Sequence, residues 1–186
     1  MGPAVSVIGL YVSKVILALR LFLAVPSLSP VDAYRHADAA SDAATTRVSP
    51  ELLLAVAWVE SRYDPTATSR VEGRVRRTGA YPSTRPPPNL APGTQLYCGP
   101  LQTNAGSWSR CLEMRGLDTA YAAGAAELEQ WLHDRRVHGS VELALAGHGC
   151  GNAGVLTGSC NNYPRRVLSI ADWIARPVVR LRRSAS

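Results

Sequence analysis

Apolar positions run along this chain in two distinct ways. From Ala4 to Val25 they are nearly continuous, broken only by Lys14, Arg20 and a few small polar residues. Beyond Ser49 they become periodic, with Leu52, Leu53, Val56, Ala57 and Val59 marking a wide helical stripe. That helix has a clear start: Ser49 can cap it, Pro50 suits the first position where its missing N–H costs nothing, and Glu51 favours the positive end. It is expected to stop near Tyr63, because Pro65 disfavours helical geometry at Asp64. Alanine-rich Tyr34 to Arg47 reads as a short helix or a tether. Helical patterns resume at Ala105–Leu112, Thr119–Arg136, Ser140–Ala146 and Tyr163–Arg176. Between them, residues 66–97 read as one long loop, with seven prolines or glycines between Gly79 and Gly93 and with Arg70, Arg74, Arg76, Arg77 and Arg85. Strand signals are nearly absent, so the expected fold is mainly α, a helical domain with a long, basic, Pro-rich loop insertion.

Length adds one constraint: 186 residues suffice for one domain with a real core and are too few to expect two. The apolar N-terminal run carries two charges, which a membrane-spanning helix would bear at a cost of about 2.5–3.5 kcal/mol each. Residues 1–39 are therefore read as a signal peptide or signal anchor with a short tether, leaving transient membrane contact open. Pro26-Ser-Leu-Ser-Pro30 breaks the run, and Ala33, Ala37 and Ala39 offer cleavage positions. Residues 40–176 form the expected domain, and 177–186 a solvated basic tail.

The net charge is +6, carried almost wholly by arginine, since Lys14 is the only lysine. Such a balance suits an anionic partner. No nucleic-acid motif is present and the arginines are not interleaved with aromatics, so a nucleic-acid partner is not expected. Cys98, Cys111, Cys150 and Cys160 fall in two close pairs. They could bridge in three ways, of which the short-loop pairing Cys98–Cys111 with Cys150–Cys160 is preferred because each pair brackets one compact segment. A zinc site is the competing reading. Without CxxC or HxxxH spacing the disulfides are preferred, with no metal and no cofactor, and with an oxidising compartment, periplasmic or extracellular.

Glu60 is the residue whose placement asks for a reason. It lies three, four and seven residues beyond Ala57, Val56 and Leu53, on the apolar side of its helix. A carboxylate there is paired, neutralised or functional, because burying an unpaired charge is costly. An apolar setting also raises a carboxyl pKa toward what a general acid needs. Spacing alone leaves a structural ion pair and a catalytic acid both open.

The residues around it bear on that choice. Ala57-Trp-Val-Glu60-Ser61-Arg-Tyr-Asp64-Pro65-Thr-Ala67-Thr-Ser69 resembles the first signature of the lytic transglycosylases, a branch of the lysozyme-like superfamily. Gly99-Pro-Leu101-Gln102-Thr-Asn104 is similar to that family's Gly-Leu-Met-Gln motif, and Ala123-Gly124-Ala125-Ala126-x-Leu128 to its small-residue helix. Ala144-Leu-Ala146-Gly-His148-Gly149-Cys150-Gly151 stands where the family has Ala-Leu-Ala-Ala-Tyr-Asn-Ala-Gly, and Tyr163-Pro-Arg-Arg-Val167 is similar to its closing motif. The five occur in the family's order, from about Ser49 to Trp173.

The resemblance implies a lysozyme-like fold and cleavage of the bond between the two aminosugars of peptidoglycan glycan strands, by a monomer. Glu60 would protonate the glycosidic oxygen and then act as base, while the sugar's own C6 hydroxyl closes onto C1 to give a 1,6-anhydro product. Ser61, Gly99, Leu101, Gln102, His148 and Tyr163 would contact or position the substrate. The family works with one carboxylate, unlike the usual glycosidase pair, and the other motifs are read as supplying no second acid; Asp64 reads as a turn residue. His148 and Gly149 depart from the family's Tyr-Asn, Pro100 from its Leu, and the basic loop is longer than usual. Trp58, Trp108, Trp131 and Trp173 are expected in the core, with Trp108 a candidate sugar-stacking surface.

Overall fold

The computed structural model describes residues 7–72, 75–87, 90 and 93–176. The expected basic tail, 177–186, lies outside them. The chain is mainly helical: α1 (Val7–Ala24), α2 (Pro30–Ala43), α3 (Pro50–Ser61), α4 (Trp108–Glu113), α5 (Leu117–His133), α6 (Val141–Thr157) and α7 (Tyr163–Ala175).

The helix starts follow their capping residues. Ser29, Ser49, Ser107 and Ser140 each accept a backbone N–H from the first turn, and Pro30 and Pro50 occupy the opening turns of α2 and α3. At the far end of α3, Arg62 adopts a left-handed conformation (φ 59°) and returns its N–H to the carbonyls of Ala57 and Trp58.

α3 is more deeply set than one apolar stripe suggests. Leu52, Leu53, Leu54, Ala55, Val56 and Ala57 are all buried, so neighbours cover the helix on every side. These are α2 through Ala33, Ala37 and Ala40, α5 through Tyr121, Ala125 and Leu128, and α7 through Val167 and Ile174. Only its two ends, Pro50 and Glu51 and the last turn from Trp58 to Ser61, reach partly toward solvent. Glu60 thus stands at the end of the most buried helix.

The N-terminal run, expected to be a leader, packs here as α1 against α2 and α7, and buries Leu17, Ala18 and Leu21 in the same core. One of its two charges is matched, since Lys14 Nζ lies 2.7 Å from Asp38 and 2.5 Å from Asp42. Its other face exposes Tyr11, Val12, Val15, Ile16, Leu19 and Leu23. Among the described residues no helix is long and apolar enough to cross a membrane. α2 runs across residue 39, and its buried His36 and alanines belong to the shared core.

The expectation of a single loop over 66–97 is corrected. The segment holds three strands, β1 (Ala67–Glu72), β2 (Val75–Ala80) and β3 (Gln95–Cys98), and β4 (Thr103–Asn104) completes an antiparallel sheet in the order β2-β1-β3-β4. Thr68 pairs with Gly79 on one side and with Cys98 on the other. The strands escape hydrophobic patterning because β1 buries Ala67, Thr68 and Ser69, small or polar residues, and β3 alternates over only four positions. Leu96, Cys98, Ala105, Cys111 and Met114 form a second, small core beneath the sheet. The chain after β2 is held from outside: the Arg115 guanidinium donates to the carbonyls of Tyr81, Pro82 and Ser83 at 2.6, 3.0 and 2.7 Å respectively.

The cysteines pair at disulfide distance as Cys98–Cys111 and Cys150–Cys160, with Cα separations of 5.3 and 5.8 Å. The first ties β3 to α4 and the second ties α6 to the segment before α7. Such pairs suit an oxidising compartment.

Candidate functional site

The sheet and the helices meet in a cleft of about 480 Å³. Val71, Gln95, Tyr97 and Asn104 line it from the sheet, Glu127 and Trp131 from α5, and Gly147 to Asn152 from α6. Glu60 lines it from the end of α3, with its side chain 11% exposed. A second hollow of about 730 Å³ shares Asn104, Glu127, Trp131 and Asn152 with the first and continues past Gln130, Asp134 and Arg136. The two adjoin along the four shared residues.

α6 can form this wall because of its glycines. Gly151 sits at φ 60°, ψ −150°, a region essentially restricted to glycine, and the helix kinks there. This accounts for the part of α6 that the sequence pattern missed, since the expected helix ended at Ala146. At Gly149 a Cβ would stand 2.9 Å from Tyr163 Cδ1 and 3.0 Å from Cys160 Sγ. Glycine at 149 therefore has a local reason: α6 passes against the Tyr163 ring and the Cys150–Cys160 pair with no room for a side chain there.

His148 faces the cleft but is almost wholly covered, its side chain 2% exposed. Nδ1 lies 3.1 Å from Glu127 Oε1, and Nε2 lies 3.2 Å from the Leu101 carbonyl and 4.0 Å from Glu60 Oε1. Burial opposes a charge on this ring. Glu127's hydrogen bond and charge, Glu60's charge and the Leu101 carbonyl outweigh it and hold the imidazole pKa above its ordinary value. Glu127 is also desolvated, yet its hydrogen bond and ion pair with His148, helped by the Asn104 N–H and the Trp131 indole, keep it below the usual carboxylate range. Both directions are those of a buried imidazolium–carboxylate pair.

The other residues expected at the site fall into different roles. Gln102 lines the cleft, but its polar atoms are committed: Nε2 donates to the carbonyls of Ala67 (2.9 Å) and Gly99 (3.0 Å), and Oε1 accepts from Ser69 Oγ (2.5 Å). It clasps the turn to β1. Ser61 Oγ donates to the Pro100 carbonyl at 2.8 Å and to Ala57 at 3.2 Å, binding the end of α3 to the same turn. Gly99 (φ 75°) makes that turn, with a Cβ position 2.5 Å from the Met114 carbonyl oxygen. Leu101 is fully buried, and its side chain packs on Gly124 while its carbonyl meets His148. Tyr163 stacks obliquely near His148, ring centroids 6.3 Å apart. Trp108 donates to the Thr84 carbonyl at 3.0 Å and packs against Tyr81, away from the residues lining the cleft.

The residue missed in the sequence is Glu127. It occupies the open position of the third motif, so the expectation of no second acid there is corrected. A signal existed: Glu127 stands three residues after Gly124 and four before Trp131, at the edge of the buried face of α5. Trp131, expected in the core, lines both hollows. Among the described residues no group of three or more potential ligands could hold a metal ion.

No protein-family model, curated protein or solved structure matches this chain.

Proposed function

We propose that this protein is a lytic transglycosylase with a lysozyme-like catalytic domain, acting on peptidoglycan glycan strands with Glu60 as general acid and base. The observation that carries the reading is the disposition of the acids. Two carboxylates line the cleft: Glu127 is hydrogen-bonded to His148 at 3.1 Å, and Glu60 lies 4.0 Å from the same ring. Glu60 is the one carried by the segment that resembles the family's acid-bearing motif.

In this reading the glycan lies along the groove formed by the two hollows, which suits a polymer better than a compact ligand. Glu60 gives its proton to the glycosidic oxygen as the C1–O bond breaks. The C6 hydroxyl of the same sugar attacks C1 and returns its proton to Glu60, so atoms and charge balance without water. Glu127, already paired, is poorly placed to activate a water, which favours the anhydro product over hydrolysis. The two cysteine pairs and the apolar N-terminal helix fit a protein exported to the periplasm or beyond.

The test is mass analysis of peptidoglycan digested with wild type and with Glu60→Gln. Anhydro-ended muropeptides from the wild type alone are expected. Reducing-end products would assign a hydrolase, and wall binding without release would assign a glycan-binding component.

A further inference from the structure

We propose that Glu127 is a positioning residue for Glu60, acting through the buried imidazole of His148. The inference rests on the reading of Glu60 as the acid, and its starting point is the match of donors to acceptors around the ring. The Leu101 carbonyl can only accept, so Nε2 carries a hydrogen. An ionised Glu127 can only accept, so Nδ1 carries one as well. An imidazole with hydrogens on both nitrogens is a cation. In a position 2% exposed that cation needs a fixed anion, and Glu127 is the carboxylate in hydrogen-bond contact.

The charged groups around the ring come from separate elements. Glu127 faces it from α5, Glu60 from the end of α3 and the Tyr163 phenol from α7, and the Leu101 carbonyl comes from the turn after β3. Of the two carboxylates, Glu127 is bonded at 3.1 Å, whereas Glu60 is 4.0 Å away, near enough to feel the charge without being bonded to the ring. The imidazolium therefore presents Nε2–H to a point between the Leu101 carbonyl and Glu60 Oε1. Its charge, 4.0 Å away, acts on where the Glu60 carboxylate sits before the proton passes to the leaving oxygen.

The consequence is an activity that requires His148 to stay charged. Its raised pKa then sets an alkaline limb above the ordinary imidazole value. Glu127→Gln removes the anion, so the ring loses its proton at lower pH and the limb moves down.

The experiment uses the full chain and soluble peptidoglycan oligomers. It measures kcat and KM against pH for wild type, Glu127→Gln and Glu127→Asp, with the His148 ring followed by NMR titration in each. Glu127→Gln is expected to lower kcat by up to about 100-fold above neutral pH with KM little changed, to shift the alkaline limb downward, and to lower the His148 titration in step. Glu127→Asp should recover part of both, and unlike the amide it serves as a folded control. An active Glu127→Gln with the wild-type limb, or a His148 titration that does not move, overturns the positioning role alone. A wild type that releases no glycan defeats the cleavage reading itself and the positioning role with it.

Discussion

His36 offers a quantitative check on how α3 is supported. It projects from α2 into the main core, shares a hydrogen bond of 2.9 Å with the Tyr121 hydroxyl, and packs its ring 4.8 Å from that of Tyr63, just beyond the end of α3. Burial is the main cause that lowers its pKa from 6.5 to about 4, with Asp32's charge opposing weakly. The native protein thus keeps this imidazole neutral where the unfolded chain already binds a proton. The contribution is fully present above pH 6.5 and is lost as pH falls toward the folded value. A tenfold change in proton affinity is worth about 1.4 kcal/mol, so the whole effect is about 3 kcal/mol, of which about 2 kcal/mol disappears between pH 6.5 and 4.5. His148 and Glu127 behave differently. The stability from a raised histidine is present below 6.5 and is lost as pH rises through its folded value, and that from a lowered glutamate is lost only on falling below 4.5. Comparing wild type with His36→Asn, which keeps a polar partner for Tyr121, isolates the His36 contribution. Urea unfolding at half-unit intervals from pH 7 to 4.5 should show wild type losing about 2 kcal/mol more than the variant. Parallel curves, or a His36 ring titrating near 6.5 by NMR, would refute the argument that this helix interface is dry and neutral.

Gly149→Ala drives a methyl group to 2.9 Å from the Tyr163 ring. Thermal unfolding should show a loss of about 1–2 kcal/mol, overpacking being partly offset by helix propensity, together with slower glycan release. Replacing both Cys150 and Cys160 by serine removes the link between α6 and the start of α7; chemical unfolding should report about 2–4 kcal/mol lost, and a variant as stable as wild type would show that the pair is not bonded. Gln102→Leu leaves Ser69 and the Ala67 and Gly99 carbonyls without their side-chain partner. It should destabilise by at least about 2 kcal/mol in the same assay, whereas a substrate-contact role would raise KM and spare stability.

What the sequence made legible was whatever is written locally. Ser49-Pro50 and Ser140 announce α3 and α6 through groups within a turn of each other, and the structure starts both helices there. The pairing of close cysteines is local in the same sense, at separations of 13 and 10 residues. The sheet is not local. β1 is held by Gln102, 33 residues beyond Ser69, so a polar strand is buried without any apolar alternation to betray it. α6 beyond Ala146 was hidden for the opposite reason, because three glycines that argue against a helix are required by the Trp131 and Tyr163 rings packed on it and by the kink at Gly151.

The same distinction explains why Glu60 drew attention in the sequence and Glu127 did not. Glu60 declares itself by standing on the apolar side of one helix, a property of its own neighbours. Glu127 stands on a face of small residues and acquires its meaning only from His148, 21 residues away on the helix packed beside it. Each alone reads as a polar residue out of place: an acid among alanines, and a histidine where the family resemblance has tyrosine. On adjoining helices, with His148 2% exposed and Glu127 21% exposed, they pair, which offsets the cost of covering the charged ring. A partly covered acid on the small-residue face of one helix, matched by a buried base on the next, is therefore a signal in pairs of helices, and it becomes readable only when the two are considered together.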